Sequence, residues 1–226
     1  MPLNLLAIGG AAFAGAAIYA NLPTRLTIGA AVPTAAYLAQ GKLLPIEKGA
    51  DVQSAKPVLA GELFAKSPVL LYAIRRPGCM FCRRQVPPCF PNPIHSFDCS
   101  EAEQLSSLKG KLDSKGVRLV GVVHETLGVE EFKPYLKGDV FFDPEKHFYG
   151  PKQRWMPFWL GFLRVSTYVN AYETKRAGVK GNTEGEGRLL GGVYLVKDNE
   201  LKFAHLEREW GDAADPKEVE KAIDSL

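Results

Sequence analysis

The sequence predicts an α/β fold, a mixed sheet flanked by helices, and three observations carry that reading. Short apolar runs such as PVLLYAI (68–74) and VRLVGVV (117–123) have the length and β-branched content of strands buried on both faces. Between and after them lie segments with helical spacing of apolar residues. Near the C-terminus, two short runs flank Lys197-Asp198-Asn199-Glu200, as in a hairpin. Alternation of strand and helix argues for a parallel or mixed sheet with both faces covered.

The elements follow in order. Glu62–Lys66 reads as a short helical turn and 68–74 as the first buried strand, ended by Arg75-Arg76-Pro77-Gly78. Ala102–Lys115 places Leu105, Leu108 and Leu112 on one face of a helix, and Gly116 stops it. The second strand is 117–123, followed by a short helix at Val129–Tyr135 and a strand at Val140–Phe142. Met156–Tyr172 is aromatic-rich and helical, with core packing as the default for its rings. Gly192–Val196 and Leu201–Leu206 form the hairpin. Pro216–Leu226 closes the chain as a helix, with Asp215 as N-cap and Pro216 at its first position.

Composition narrows the class. Of 226 residues, 46% are apolar and 23% charged, which excludes a disordered, collagen-like or multi-pass membrane chain. The net charge of +3 is too weak to argue for nucleic acid. The four cysteines are too few for a disulfide scaffold, yet Cys79, Cys82, Cys89 and Cys99 fall close together.

Residues 1–40 form an apolar N-terminal segment, with no charged side chain before Arg25. Leu3–Leu22 is long enough to span a bilayer as a helix. The readings are a tail or targeting segment outside the fold, an anchor giving membrane contact through residues 3–22, or a cleaved secretory signal that lacks a basic start. Residues 41–58 read as a linker, or as a strand and turn leading into a domain expected over 59–226.

Cys79-Met80-Phe81-Cys82 directly follows a buried strand and opens a helix. Unpaired N–H groups and the helix dipole favour thiolate there, and Arg75, Arg76, Arg83 and Arg84 push the same way. Cys79 is therefore the nucleophile and Cys82 the resolving cysteine of thiol–disulfide exchange, through a mixed disulfide or a sulfenic acid. Zinc is the structural alternative, with Cys89, Cys99 and His95 as further ligands, although a second tight pair is missing. Inert buried thiols are the third reading.

RRPGCMFCR (75–83), EQLSSLKGKLDSKGVRLVGVV (103–123), KPYLKGDVFFDPEKHFYGP (133–151) and GNTEGEGRLLGGVYLV (181–196) resemble the peroxiredoxin-like 2 family, in particular its A-type redox-regulatory, antioxidant members. The resemblance covers roughly residues 60–220. It implies a thioredoxin-like fold and a redox-active pair at Cys79 and Cys82. It further implies no bound cofactor, an external reductant of the thioredoxin or glutathione system, and an oxidised protein or small peroxide as substrate. The implied location is cytoplasmic, with membrane, mitochondrial or secreted forms as further options. A sister branch reduces prostaglandin H2-type endoperoxides, so a lipid endoperoxide reductase is one alternative. A non-enzymatic redox-sensing regulator of signalling is the other.

Two departures stand out. Residues 84–100 read as an insertion, whose Pro87, Pro88, Pro91 and Pro93 cannot continue a helix. Leu190-Gly191-Gly192 stands where thioredoxins carry a cis-proline, and the Pro-x-x-x-Thr-x-x-Cys signature of true peroxiredoxins is missing. Among other candidates, His124 and Glu125 follow the second strand at the sheet edge where ligands bind, with a solvated loop pair as the default. Residues 146–188 carry eight Lys or Arg against three Glu together with many aromatics, a pattern that suits core packing or contact with a membrane surface. The glycines of GNTEGEG (181–187) are expected to serve turns.

Overall fold

The computed structural model describes residues 2–47, 52–78, 101–176 and 185–226. Among these, seven strands form one sheet in the order β2-β1-β5-β4-β3-β6-β7. Strands β3 (Val69–Ile74), β4 (Arg118–Val123) and β5 (Asp139–Phe142) are mutually parallel. Antiparallel strands complete the sheet: β6 (Gly192–Lys197) and β7 (Glu200–Leu206) beyond β3, β1 (Lys42–Pro45) and β2 (Val58–Leu59) beyond β5. The order β4-β3-β6-β7, built from a parallel crossover, an antiparallel hairpin and a closing helix, is thioredoxin-like.

Strand β3 shows why its sequence is apolar throughout. Successive side chains point to opposite faces. Leu70, Tyr72 and Ile74 enter one core with Leu105, Leu112, Phe132 and Ile223. Val69, Leu71 and Ala73 enter the other, with Leu38, Phe64, Phe148 and Tyr149. All six residues are buried.

The α-helices among the described residues are α1 (Pro2–Asn21), α2 (Thr24–Thr27), α3 (Ala35–Ala39), α4 (Ala60–Phe64), α5 (Glu101–Ser107), α6 (Lys109–Ser114), α7 (Val129–Phe132), α8 (Phe158–Leu163), α9 (Val165–Arg176) and α10 (Pro216–Asp224). The single helix expected over 102–115 is thus broken at Leu108. The serines before the break are drawn away: Ser107 Oγ donates to the Gln104 carbonyl, and Ser106 Oγ bridges Tyr135 O and Lys137 N. The helix expected over 156–172 is broken at Arg164, whose backbone is extended and whose side chain turns inward. The hairpin turn is as expected: Asp198 (φ 51°) and Asn199 (φ 58°) both take the left-handed conformation a tight β-turn requires. Asp215 caps α10 by accepting from Lys217 N. The 41–58 segment contributes strand and turn: Leu44 and Pro45 pair with Phe142 and Phe141.

Candidate active site

Cys79 and Cys82 lie outside the described residues, as do Cys89, Cys99, His95, the 84–100 insertion and residues 181–184. The described chain reaches Gly78, at the end of the turn leaving β3. The residues holding that turn define the site.

Three groups fix the exit from β3. Tyr149 Oη donates to the Ile74 carbonyl at 2.7 Å, with the Val122 carbonyl at 3.2 Å. His124, at the end of β4, donates Nε2–H to the Arg75 carbonyl at 2.8 Å and packs edge-on against Tyr149. The carbonyl can only accept, so the Nε2 proton is required. Arg75 turns inward: its Nε donates to Glu207 Oε1 at 2.9 Å and its Nη1 to Gly187 O at 3.1 Å. The ion pair is buried on both sides.

The pair is also bonded to the strand that faces it. Glu207 Oε2 accepts from Gly191 N at 2.8 Å. Arg154, buried, donates Nη2 to Gly191 O at 2.6 Å and Nη1 to Glu207 O. The 190–192 corner, which lacks proline, is therefore held by two buried charged side chains. Glycine is required at 191, because a Cβ there would stand 2.0 Å from the Ala73 carbonyl. Burial raises the Glu207 carboxyl pKa, and Arg75 opposes that shift.

A second tie joins β4 to the loop before β6. Glu125 Oε2 accepts from Glu186 N at 2.9 Å. Gly185 takes φ +89°, a left-handed conformation that favours glycine, and a Cβ there would push aside the Glu125 carboxylate that accepts this bond. Burial raises the Glu125 pKa, against the bond from Glu186 N and the Arg76 charge. Burial lowers the His124 pKa, keeping the ring neutral at pH 7, against the bond to Arg75 O.

Behind the corner sits a further buried cluster. Glu101 accepts from Ala214 N at 2.9 Å, and burial pushes its pKa up to about 7. His205 lies 3.2 Å from Asp212. Burial would raise the Asp212 pKa, but bonds from His205 and Arg208 hold it down at about 2.

The expectation for His124 and Glu125 is corrected. They are not a solvated loop pair: His124 is buried, Glu125 half-buried, and each bonds a different backbone segment. The expectation for Arg75 changes as well, since its charge is matched by Glu207. Glu207 and Arg154 carry no motif. Their partners stand 132 and 37 residues away in sequence, and no local pattern signals them. Core packing of the aromatic stretch holds for Trp155, half-buried against the second core, and fails for the rings that follow it. Phe158, Trp159, Phe162, Tyr168 and Tyr172 are exposed, because α8 and α9 lie outside both cores of the sheet.

The family model for AhpC/TSA antioxidant enzymes matches residues 104–209, a range that begins after Cys82. Peroxiredoxin-like 2A of Homo sapiens is 38% identical over 210 residues, covering 90% of this chain and 82% of its own. The Rattus norvegicus protein of that name is 35% identical over 231 residues (99% and 91%), and that of Danio rerio 40% over 207 (90% and 86%). Peroxidoxin BcpB of Mycobacterium tuberculosis superposes with a TM-score of 0.47 at 10% identity, over 84% of this chain and 98% of its own. With these three peroxiredoxin-like 2A relatives 35–40% identical over more than four-fifths of their length, and with the strand order described above, the chain belongs to the peroxiredoxin-like 2A family and has its thioredoxin-like fold.

Proposed function

We propose that the protein is a thiol–disulfide redox protein with an antioxidant, redox-regulatory role, with Cys79 as nucleophile and Cys82 as resolving cysteine. The observation that carries the reading is the built exit of β3. A turn held by Tyr149, His124 and the Arg75–Glu207 pair lies at the carboxyl edge of the parallel strands and ends at Gly78, the residue before Cys79 in the sequence. Membership of a peroxiredoxin-like family supports thiol chemistry at that edge.

In the proposed exchange, the Cys79 thiolate attacks one sulfur of a substrate disulfide. A mixed disulfide forms and one substrate thiolate leaves. Cys82 then attacks Cys79 Sγ, closing the Cys79–Cys82 disulfide and releasing the second substrate thiol. With a peroxide, Cys79 attacks the terminal oxygen, gives a sulfenic acid and an alcohol or water, and Cys82 condenses with it to release water. An external reductant, one thioredoxin-type dithiol or two molecules of glutathione, returns two electrons and two protons and leaves as its own disulfide. Reducing compartments such as the cytoplasm supply it.

The test is turnover of the purified protein with thioredoxin, thioredoxin reductase and NADPH, against hydrogen peroxide, a protein disulfide and a lipid endoperoxide. Cys79→Ser should abolish turnover on every substrate. Cys82→Ser should accumulate a mixed disulfide visible by thiol trapping. Full activity in Cys79→Ser would overturn the assignment. A Cys79 thiol that titrates near the free value of about 8.5 would argue against an activated nucleophile. No turnover on any substrate, combined with partner capture that depends on whether the Cys79–Cys82 pair has been oxidised by added peroxide, would favour the redox-sensing reading.

A further inference from the structure

Residues 1–24 and 155–172 together contain no Asp or Glu and a single Arg. That Arg164 turns inward, bonding the carbonyls of Ala20 and Leu22 and pairing with Glu209 at 2.7 Å. These bonds, with Asn21 Nδ2 donating to Leu163 O and Val165 N donating to Asn21 Oδ1, tie the end of α1 to the α8–α9 junction. Tyr19 stacks on Trp159, and Tyr168 Oη donates to Phe162 O, so the three helices form one continuous surface.

That surface is apolar and uncovered. Phe158, Phe162, Val165, Tyr168 and Tyr172 are each more than half exposed. On α1, Ile8, Phe13 and Ile18 are about two-thirds exposed. Their five-residue spacing rotates each by about 140° from the last, so they point to all sides of the helix. A flat protein partner would cover one side of such a helix; a fluid apolar medium covers all of them. Tyr19, Trp159, Tyr168 and Tyr172 pair an apolar ring with a polar tip, the type favoured at membrane–water interfaces.

Charge lies at the foot of this surface. A cavity of about 590 Å³ is lined there by Arg25, Arg154, Arg164, Arg208 and Glu209. Arg164 pairs with Glu209 and Arg208 with Asp212. Among the described residues Arg25 and Arg154 have no ion-pair partner, which leaves the cavity positive. Among the described residues no helix is long and apolar enough to cross a membrane.

We propose that α1, α8 and α9 form a monotopic docking surface for an anionic phospholipid bilayer. α1 enters the acyl region of one leaflet, the aromatics of α8 and α9 rest at headgroup depth, and the arginine-lined cavity takes up lipid phosphate. Binding then scales with apolar area buried plus attraction to anionic lipid.

The test is flotation of the full chain with phosphatidylcholine vesicles, with and without phosphatidylserine. The protein should float with the anionic vesicles and less with the neutral ones. Its tryptophan emission should shift to the blue and be quenched by brominated acyl chains. Phe13→Asp/Ile18→Asp changes exposed positions only and should weaken flotation at least about tenfold, leaving thermal unfolding unchanged. Phe158→Ser/Phe162→Ser should also weaken it, and Arg25→Glu should remove the preference for anionic lipid. Wild-type protein that stays at the bottom of both gradients would overturn the proposal, as would a Phe13→Asp/Ile18→Asp variant that floats normally. Concentration-dependent dimers in sedimentation, lost in that variant and without flotation, would assign the surface to a second copy and overturn it too.

Discussion

Two ion pairs sit at opposite ends of the parallel strands. At the carboxyl end of β3, Arg75 meets Glu207 at 2.9 Å; at the amino end of β4, Arg118 meets Asp139 at 2.8 Å. Their lengths match but their surroundings do not. The first pair is 4% and 9% exposed, the second 38% and 55%. The exposed pair gains little over its contacts with water. The buried pair has lost its water, and its charges must be satisfied by each other and by Gly187 O and Gly191 N. Its value lies in what breaks when one partner goes. This is why the buried pair can fix the shape of a site and the exposed pair can drift.

The largest effect is expected from Glu207→Ala, which strands Arg75 and leaves Gly191 N without its acceptor. Chemical denaturation should show a loss of about 3–5 kcal/mol. A loss below about 1 kcal/mol would mean that water reaches Arg75. Glu101 sharpens the comparison, being a buried carboxylate with no arginine paired to it among the described residues. Burial lifts its folded pKa to about 7, above the 4.5 of an ordinary glutamate. The folded state therefore holds the proton more tightly, and stability falls as pH rises from about 4.5 through 7. Glu101→Gln keeps an acceptor for Ala214 N and should raise stability at pH 8 by on the order of 3 kcal/mol, with little change at pH 4. Equal melting shifts at both pH values would rule out ionisation as the cause.

Gly191→Ala tests the backbone side of the buried corner. The added methyl must push β6 from the Ala73 carbonyl, at a cost of roughly 1–3 kcal/mol in denaturation. It should also disturb the Gly191–Glu207 bond, so its effect should fall short of additivity with Glu207→Ala. Smallest of all, Arg118→Ala should change stability by about 0–1 kcal/mol. Added salt should reduce even that.

Much of the frame is legible in the sequence. Strands β3 and β4 are continuous apolar runs because both faces are buried, and β6–β7 is announced by the Asp198-Asn199 turn. The cap on α10 is local and therefore readable. Strand β1 is less so, since four residues with a central Leu43-Leu44 become a strand only when β5 is beside them. Least legible is the site's support. Arg75 beside a CxxC suggests a charge aimed at the thiol, and only the fold brings Glu207 up to meet it. The aromatic helices mislead for a related reason: ring content predicts burial, but not which surroundings bury the ring.

The sheet's two margins bear on how copies of this chain can meet. On one side the last strand, β2, is two residues long, so a neighbouring molecule could add hardly a rung to that ladder. The other margin, β7, is longer but carries Glu200, Lys202 and His205, and the β6–β7 register shifts at Leu195/Val196. A short strand, charged side chains and an irregular twist are devices by which sheets resist growing into fibres. The outer rows of backbone amides are therefore poor templates for aggregation.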